Sequence, residues 1–477
     1  MTARGSSRTK IVCTLGPASN GVDTLVRMVQ AGMDVVRLNF SHGTYEDHGR
    51  SITNVQEAMR TTGEHLTIVQ DLQGPKIRIG TFTSELVELV PGHHFVITTE
   101  NVEGTVDRVS TTFTNLPADV RPGHTILLDD GKIQLRVVSV NTTEVKCEVL
   151  VGGKLSARKG INLPGIAVSA PSFTDKDLDD VLFGLSNDVD YIALSFVRSA
   201  FDIRDLRKAI STRVPGVRTP IIAKIEKPQA IQNIDAIIQE ADGIMVARGD
   251  LGVELPPEDV PMLQKQIIRK CNEMGKPVIV ATQMLESMIK NPRPTRAEAS
   301  DVANAVLDGC DAVMLSGETS VGSYPVETVE IMNRIIVKAE VVLRERGRPP
   351  EGTQVADRHD ALGRTACLLA EQMGAAAIVT VTQSGQTARV LSRYRPEPQI
   401  IAITDKEKTL RALNLIWGIR GMVVNSLGEN SDRALQNIQQ VLLESGAVSP
   451  GEYVVLLAGQ PLLARGSTNF IKVEKIG

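Results

Sequence analysis

Aromatic residues are scarce in this chain of 477: one Trp, five Tyr and nine Phe, 3% of the sequence. Proteins that stack bases or sugars need platforms of such rings, so neither task is the main business of the chain. Cysteine is rarer still. Cys13, Cys147, Cys271, Cys310 and Cys367 are odd in number, far apart and without CxxC spacing. That pattern speaks for reduced, buried thiols rather than a disulfide framework. An excess of either charge is also missing. Lys and Arg number 52 against 56 Asp and Glu, a net charge of −4, which argues against nucleic acid or an anionic membrane as a general partner. No apolar run approaches the roughly 18 residues of a membrane helix. The first one, Ile11–Leu15, stops at Gly16-Pro17, too short for the core of a signal peptide. These absences point to a cytoplasmic globular protein, 42% apolar and 23% charged, with about three domains by length.

What is present is a rhythm. Short β-rich runs recur at Ile11–Leu15, Val35–Phe40, Leu66–Asp71, Tyr191–Phe196, Ile221–Glu226, Ile244–Ala247, Val278–Thr282 and Ala312–Leu315. Helical periods lie between most of them, at Val22–Ala31, Tyr45–Thr61, Asp175–Ser186, Ala200–Thr212, Gln229–Glu240, Glu258–Met274 and Arg296–Leu307, and Pro325–Arg344 follows the last. Alternating strands and helices imply parallel pairing, and eight units imply a closed (β/α)8 barrel, with a doubly wound sheet as the competing arrangement. Between Asp71 and about Val168 the helical period vanishes. Alternating strand-like pieces replace it, punctuated by Pro91-Gly92, Pro122-Gly123 and Asp130-Gly131. This reads as a small all-β domain inserted in a loop at the carboxyl end of the third barrel strand. The expected α/β division is therefore barrel (1–71), inserted β lid (72–167), barrel again (168–345), linker (346–360) and a C-terminal α/β domain (361–477).

Barrels of this kind carry their chemistry at the carboxyl ends of strands. There the chain places Arg37, Asn39 and Ser41 on one face of an alternating run, then Asp71, then Lys224 with Glu226, then Arg248-Gly249-Asp250, then Thr282. A single polar strand end means only that a loop begins. Lys224 and Glu226 inside an apolar strand mean more, because a buried charge without a partner is costly. Glu226 and Asp250 are hard oxygen ligands, few in number, which suits Mg²⁺ completed by water and substrate phosphate. No Cys/His cluster offers a zinc site. Arg37, Arg78, Lys159 and Lys224 can neutralise phosphate and carboxylate oxygens. No Walker A motif is present. Metal plus several cations favours phosphoryl transfer or an enolate reaction. His93-His94 resembles a ligand pair, but adjacent strand residues point to opposite faces, so one surface and one core residue are expected.

Eight ordered stretches resemble the pyruvate kinase family: 9–19 (TKIVCTLGPAS), 34–43 (DVVRLNFSHG), 71–78 (DLQGPKIR), 159–165 (KGINLPG), 223–227 (AKIEK), 245–253 (MVARGDLGV), 281–288 (ATQMLESM) and 314–319 (MLSGET). The C-terminal part matches more loosely, through Ser384-Gly385, Arg393–Pro396 and Gly466–Asn469. The resemblance implies transfer of phosphate from phosphoenolpyruvate to ADP, giving pyruvate and ATP. Carried onto matching positions, it implies that Glu226 and Asp250 hold Mg²⁺ or Mn²⁺, that Lys224 stabilises the phosphoryl group in flight, and that Arg37 contacts phosphate. Gly249, Asp250 and Thr282 would border phosphoenolpyruvate and its enolate, with Thr282 assisting protonation of the enolate carbon through water. Asn39, Ser41, His42, Arg78 and Lys159 would lie near nucleotide or a monovalent cation. The inserted domain would close as a lid, and the molecule would be a homotetramer.

One departure bears on potassium. Many members of the family read Asp-Thr-Lys-Gly-Pro-Glu where this chain reads Asp71-Leu72-Gln73-Gly74-Pro75-Lys76. That pattern goes with a required potassium ion held partly by the Thr oxygen. Leu72 has no such oxygen, and the Lys76 ammonium offers a fixed charge instead. With Asn39, Ser41 and Asp71 it would form a replaced cation site, and the resemblance implies potassium independence. In the C-terminal part, Thr382, Ser384, Gly385, Gln386 and Thr387 join a strand end to a helix start. Backbone amides there suit a phosphorylated effector, AMP or a sugar phosphate. A plain N-cap by Ser384 or Thr382 is the simpler reading. Two other functions compete: a Mg²⁺-dependent phosphoenolpyruvate or oxo-acid lyase or mutase, and a catalytically silent metabolite sensor.

Overall fold

The computed structural model describes residues 7–166, 168–169, 171–345, 357–424, 431–459 and 468–477. Eight parallel strands close into a barrel: β1 (Lys10–Thr14), β2 (Val35–Asn39), β3 (Thr67–Asp71), β4 (Tyr191–Leu194), β5 (Ile221–Ile225), β6 (Gly243–Ala247), β7 (Val278–Ala281) and β8 (Ala312–Leu315). Closure is the pairing of β1 with β8, Lys10 opposite Ala312 and Cys13 opposite Leu315, and it excludes the open sheet. Both faces of each strand are buried, as parallel pairing covered by helices requires. Alternation divides them. Ile11, Val36, Ile68 and Ile192 pack outward against the helices. Val12, Val35, Val69, Tyr191, Ile222, Met245, Ile279 and Met314 fill the interior.

The same inward face changes character along the strands. Two residues beyond Val35, Val69 and Ile222 stand Arg37, Asp71 and Lys224. The period of two thus carries an apolar plug at the amino end into charged groups at the carboxyl end. Helix starts are fixed by capping boxes, Thr44 with Asp47, Thr174 with Asp177 and Thr295 with Glu298, each meeting two amide donors that a helix leaves open. The single helix expected over Gln229–Glu240 is two, Pro228–Gln232 and Ile234–Glu240. Asn233 lies between them, its side-chain amide donating to the carbonyls of Gln229 and Arg198, a local bond that competes with the helix ladder.

After β3 the chain builds a six-stranded sheet in the order Ile161–Asn162, Thr125–Leu128, Ile133–Val140, Glu144–Val151, His94–Thr98 and Arg108–Ser110, with a two-stranded pairing of Leu86–Leu89 and Gly153–Ser156. Its core holds Phe95, Ile97, Ile126, Leu135, Val137 and Cys147. His93 and His94 are both exposed, so the expected core partner is absent: Phe95 is the first inward residue. Much of the expected linker, residues 346–356, lies outside the described residues. The helix Arg358–Gln372 begins within that expected linker, capped by Asp357.

The C-terminal sheet runs Ile419–Val423, Gln399–Thr404, Ala377–Val381, Tyr453–Ala458 and Phe470–Lys475, the last antiparallel. Its helices and loops seal the amino end of the barrel. Leu415 joins the barrel's interior cluster. Tyr191 Oη donates to Ala412 O at 2.8 Å, Lys10 Nζ to Ile419 O at 2.9 Å, and Asn414 Nδ2 to Asp34 O at 2.9 Å. With that end closed, only the carboxyl mouth is left for a substrate. No helix among the described residues is long and apolar enough to cross a membrane. The five cysteines are buried and none forms a disulfide.

Candidate active site

Charged groups at the barrel mouth are held by one another. Arg37 Nε donates to Asp71 Oδ2 at 2.6 Å, and its Nη1 donates to Thr14 Oγ1 at 2.9 Å. Lys224 Nζ lies 3.2 Å from Asp71 Oδ1 and 2.9 Å from Glu226 Oε1, and donates to Ser195 Oγ at 2.8 Å. The other oxygen of Glu226 accepts the Phe196 amide at 2.9 Å. Burial alone would raise the Asp71 carboxyl; the Lys224 and Arg37 charges overcome that and hold it below its ordinary value. Burial likewise works against the Lys224 ammonium, but Asp71 and Glu226 more than compensate and raise its pKa. Lys224 is therefore a fixed positive charge, not a proton donor.

Asp250 stands apart from these pairs. It opens into the water of the cleft, yet protein surrounds its carboxyl closely. That desolvation, and the Glu226 charge beside it, push it up to about 6. It belongs to the short helix Arg248–Glu254, which follows β6 directly. Gly249 N in that helix donates to Thr282 Oγ1 at 2.7 Å. Thr282 and Gln283 follow β7 with φ of 70° and 56°, a left-handed backbone uncommon outside glycine.

The inserted sheet faces this mouth across a cleft of about 70 Å³, lined by Lys76, Asp130, Phe196, Arg198, Lys227 and Asp250 among others. Asn162 Nδ2, from the insert, donates to Glu254 Oε1 at 3.0 Å, and Lys227 Nζ reaches the same oxygen at 2.6 Å. Lys159 is held by Asp129 at 2.8 Å rather than pointing free. Arg78 lies at the base of the insert, its amide donating to Thr112 Oγ1. His42 has its pKa lowered by burial first and then by the positive charges of Arg78, Lys76 and Arg37. Asn39 Oδ1 accepts the Ser41 amide at 3.1 Å. Leu72 is 1% exposed and packs outward in the barrel core.

Against known proteins, two family models match: pyruvate kinase, barrel domain, over residues 6–329, and pyruvate kinase, alpha/beta domain, over residues 360–474. The chain is similar to the pyruvate kinase of Geobacillus stearothermophilus, 47% identical over 98% of this chain and 80% of that protein. It is also similar to that of Staphylococcus aureus strain MRSA252, 43% identical over 98% and 80%. A crystal structure of a pyruvate kinase from Cryptosporidium parvum matches with a TM-score of 0.91 and 38% identity, over 99% of this chain and 97% of that one. The chain belongs to the pyruvate kinase family.

Pyruvate kinase activity joins phosphoenolpyruvate and ADP to give pyruvate and ATP, and family membership implies a divalent metal. The donor set suits one. Among the described residues no group of three or more His, Cys, Asp or Glu side chains is placed to enclose an ion. Desolvation raises the Asp250 carboxyl first and the like charge of Glu226 adds to it, and a divalent cation between the two would relieve that repulsion. Two protein oxygens with substrate and water completing the shell are what Mg²⁺ commonly takes.

The motif residues meet at the mouth; the suggested effector loop does not. It lies in the C-terminal sheet, where Gly385, φ 81°, occupies the N-cap of the helix Gln386–Arg393. Glycine suits the left-handed backbone and brings no side chain to the cap, so Ser384 and Thr382 both lie outside the cap position, and Ser384 Oγ reaches the first helical amide, Gln386 N, only at 3.5 Å. Thr382 Oγ1 accepts the Gly385 amide instead, at 2.9 Å. Thr387 Oγ1 pairs with Thr468 Oγ1 at 2.8 Å. Sequence reasoning missed Thr14 and Ser195, which orient Arg37 and Lys224. Both end or follow barrel strands, the one signal that could have found them.

Proposed function

We propose that this chain transfers the phosphoryl group of phosphoenolpyruvate to ADP at the barrel mouth, with Lys224 as the charge that steadies the group in flight. The carrying observation is the buried quartet Arg37, Asp71, Lys224 and Glu226, whose ion pairs of 2.6–3.2 Å hold two cations at the carboxyl ends of the barrel strands. Glu226 and Asp250 would hold Mg²⁺, or Mn²⁺, which when bound supplies charge neutralisation on the phosphate and enolate oxygens. Arg37 would contact the phosphate. Gly249, Asp250 and Thr282 would border the enolate, and Thr282 would relay a water proton to its carbon. Asn39, Ser41, His42, Arg78 and Lys159 would line the nucleotide side, Lys159 leaving Asp129 to do so. Positioning and charge account for most of the catalysis in such a transfer.

The insert, roughly residues 72–167, would act as a lid that excludes water as a competing acceptor. Lys76 would stand in for potassium beside Asn39, Ser41 and Asp71. Support comes from the burial of Leu72 and from the Lys76 charge acting on both His42 and Asp250. A cytoplasmic homotetramer, regulated by AMP or a sugar phosphate at Thr382–Thr387, completes the reading. Neither nucleic acid nor a membrane enters it. Lyase, mutase and sensor readings lose their ground because the catalytic motif positions and the insert are all present.

The test is pyruvate formation from phosphoenolpyruvate, ADP and Mg²⁺ without potassium, then with it, candidate effectors being present in both arms. Full ADP-dependent activity without potassium is the expected result. Many-fold stimulation by potassium would remove the Lys76 role, and no activity in either arm would remove the assignment of function.

A further inference from the structure

Thr282 holds an uncommon conformation, and the structure shows what keeps it there. It is β-branched, its φ is 70°, and the next residue is left-handed too. Strain of this kind persists only where surrounding groups over-determine it. One side chain holds the Thr282 carbonyl. Arg248 Nη2 donates to the Thr282 carbonyl at 2.9 Å, while Nη1 donates to Asp301 Oδ1 at 2.7 Å and to Gln264 Oε1 at 3.4 Å. The guanidinium is largely buried, 12% exposed. The next amide along, Gly249 N, takes the Thr282 hydroxyl oxygen at 2.7 Å, and that hydroxyl donates to Ala281 O at 2.6 Å. The start of the helix Arg248–Glu254 thus grips Thr282 twice, by its backbone and by its side chain.

We propose that Arg248 is a positioning residue for the proton-transfer half of the reaction: by clamping the Thr282 carbonyl it sets the hydroxyl that faces the enolate. This rests on the role given to Thr282 above. In that step the enolate carbon forms a C–H bond as an O–H bond of Thr282 breaks. The ketone C=O forms again from the enolate, and water returns a proton to the hydroxyl. Arg248 touches none of these atoms. Its loss should therefore slow protonation of the carbon far more than it weakens substrate binding.

The experiment measures two rates on the holoenzyme: exchange of the pyruvate methyl protons with D₂O, and overall turnover with its KM for phosphoenolpyruvate. Arg248→Met removes the guanidinium's bonds to Thr282, Asp301 and Gln264 while keeping an apolar stem. It should reduce exchange more than tenfold with KM changed less than threefold. Arg248→Lys keeps one donor and should recover part of the loss. Because Arg248→Met risks misfolding, Asp301→Asn serves as the milder variant, loosening the guanidinium from its far side, with a severalfold loss of exchange. Thr282→Ala combined with Arg248→Met should be no worse than Thr282→Ala alone, since both act through one hydroxyl. If Thr282→Ala abolishes exchange while Arg248→Met and Asp301→Asn leave it intact, the clamp is wrong and the Thr282 reading stands. If Thr282→Ala itself leaves exchange intact, the Thr282 reading fails and the clamp with it. A KM rise matching the loss of kcat/KM in Arg248→Met would also overturn the proposal, marking a general loss of binding.

Discussion

Asp71 is the hinge of the charge arrangement at the level of single residues. At 1% exposure it meets Arg37 and Lys224 at once. Asp71→Asn keeps the shape but leaves Arg37 without a carboxylate and Lys224 with Glu226 alone. A loss of about 3–5 kcal/mol is expected, the usual cost of breaking a buried pair from one side. The pH dependence has a definite sign. The carboxyl's pKa is below 3.8 in the folded protein, so its contribution is whole above about pH 4 and fades as the pH falls below that. Urea midpoints should differ between wild type and variant by a constant amount from pH 5 to 8, with the gap narrowing at lower pH. Asp250 behaves oppositely. Pushed up to about 6, it must lose a proton before it can hold a cation. Mn²⁺ affinity measured calorimetrically should be about tenfold weaker at pH 5 than at pH 7, and Asp250→Asn should be weaker throughout and lack that dependence.

Among the elements, those with strong periods were legible and those with weak ones were not. The eight barrel runs stood out because parallel strands buried on both faces read as unbroken Val and Ile. Arg108–Ser110, Gly153–Ser156 and Ile161–Asn162 escaped notice, being two to four residues long and bounded by glycine or charge. The helix Arg248–Glu254 escaped too. Its sequence RGDLGVE holds two glycines, which lower helix propensity, and packing beside β6 and β7 overrides that. Ile419–Val423 begins three residues earlier than its apolar signal at Met422, because Arg420-Gly421 interrupts the run without breaking the pairing. For the site, residue types and strand ends marked Lys224, Glu226 and Asp250. Which acid Lys159 meets depends on folding of the insert, and no local pattern encodes it. The insert touches the barrel helix through Asn162 and Glu254. Asn162→Ala should loosen this tie, giving faster amide exchange across the insert and a severalfold higher KM for ADP, while the melting temperature barely moves.

For the whole molecule, the joint between barrel and C-terminal sheet is electrostatic as well as apolar. Arg411 Nε lies 3.0 Å from Asp190, a carboxyl that burial pushes up to about 6 even with that partner. Arg411→Met would leave Asp190 buried without its cation. The deficit should be about 3–5 kcal/mol and larger at pH 8 than at pH 5. Removing the cation raises the carboxyl further, and the penalty applies only while it is ionised. Melting curves at the two pH values decide this.

The pairing of β1 with β8 also bears on how the chain is made. A ribosome adding about 5–20 residues per second needs roughly 15–60 seconds between releasing Lys10 and releasing Leu315. Until then β1 has only β2 beside it, and β3 waits for Tyr191 to emerge before it finds β4. The sheet between β3 and β4 waits for nothing downstream, since all its strands pair among residues 86–162. A nascent chain therefore carries a finished insert on an unfinished barrel with two open edges, the form in which strands recruit wrong neighbours. The last barrel strand to be translated is the one that removes those edges.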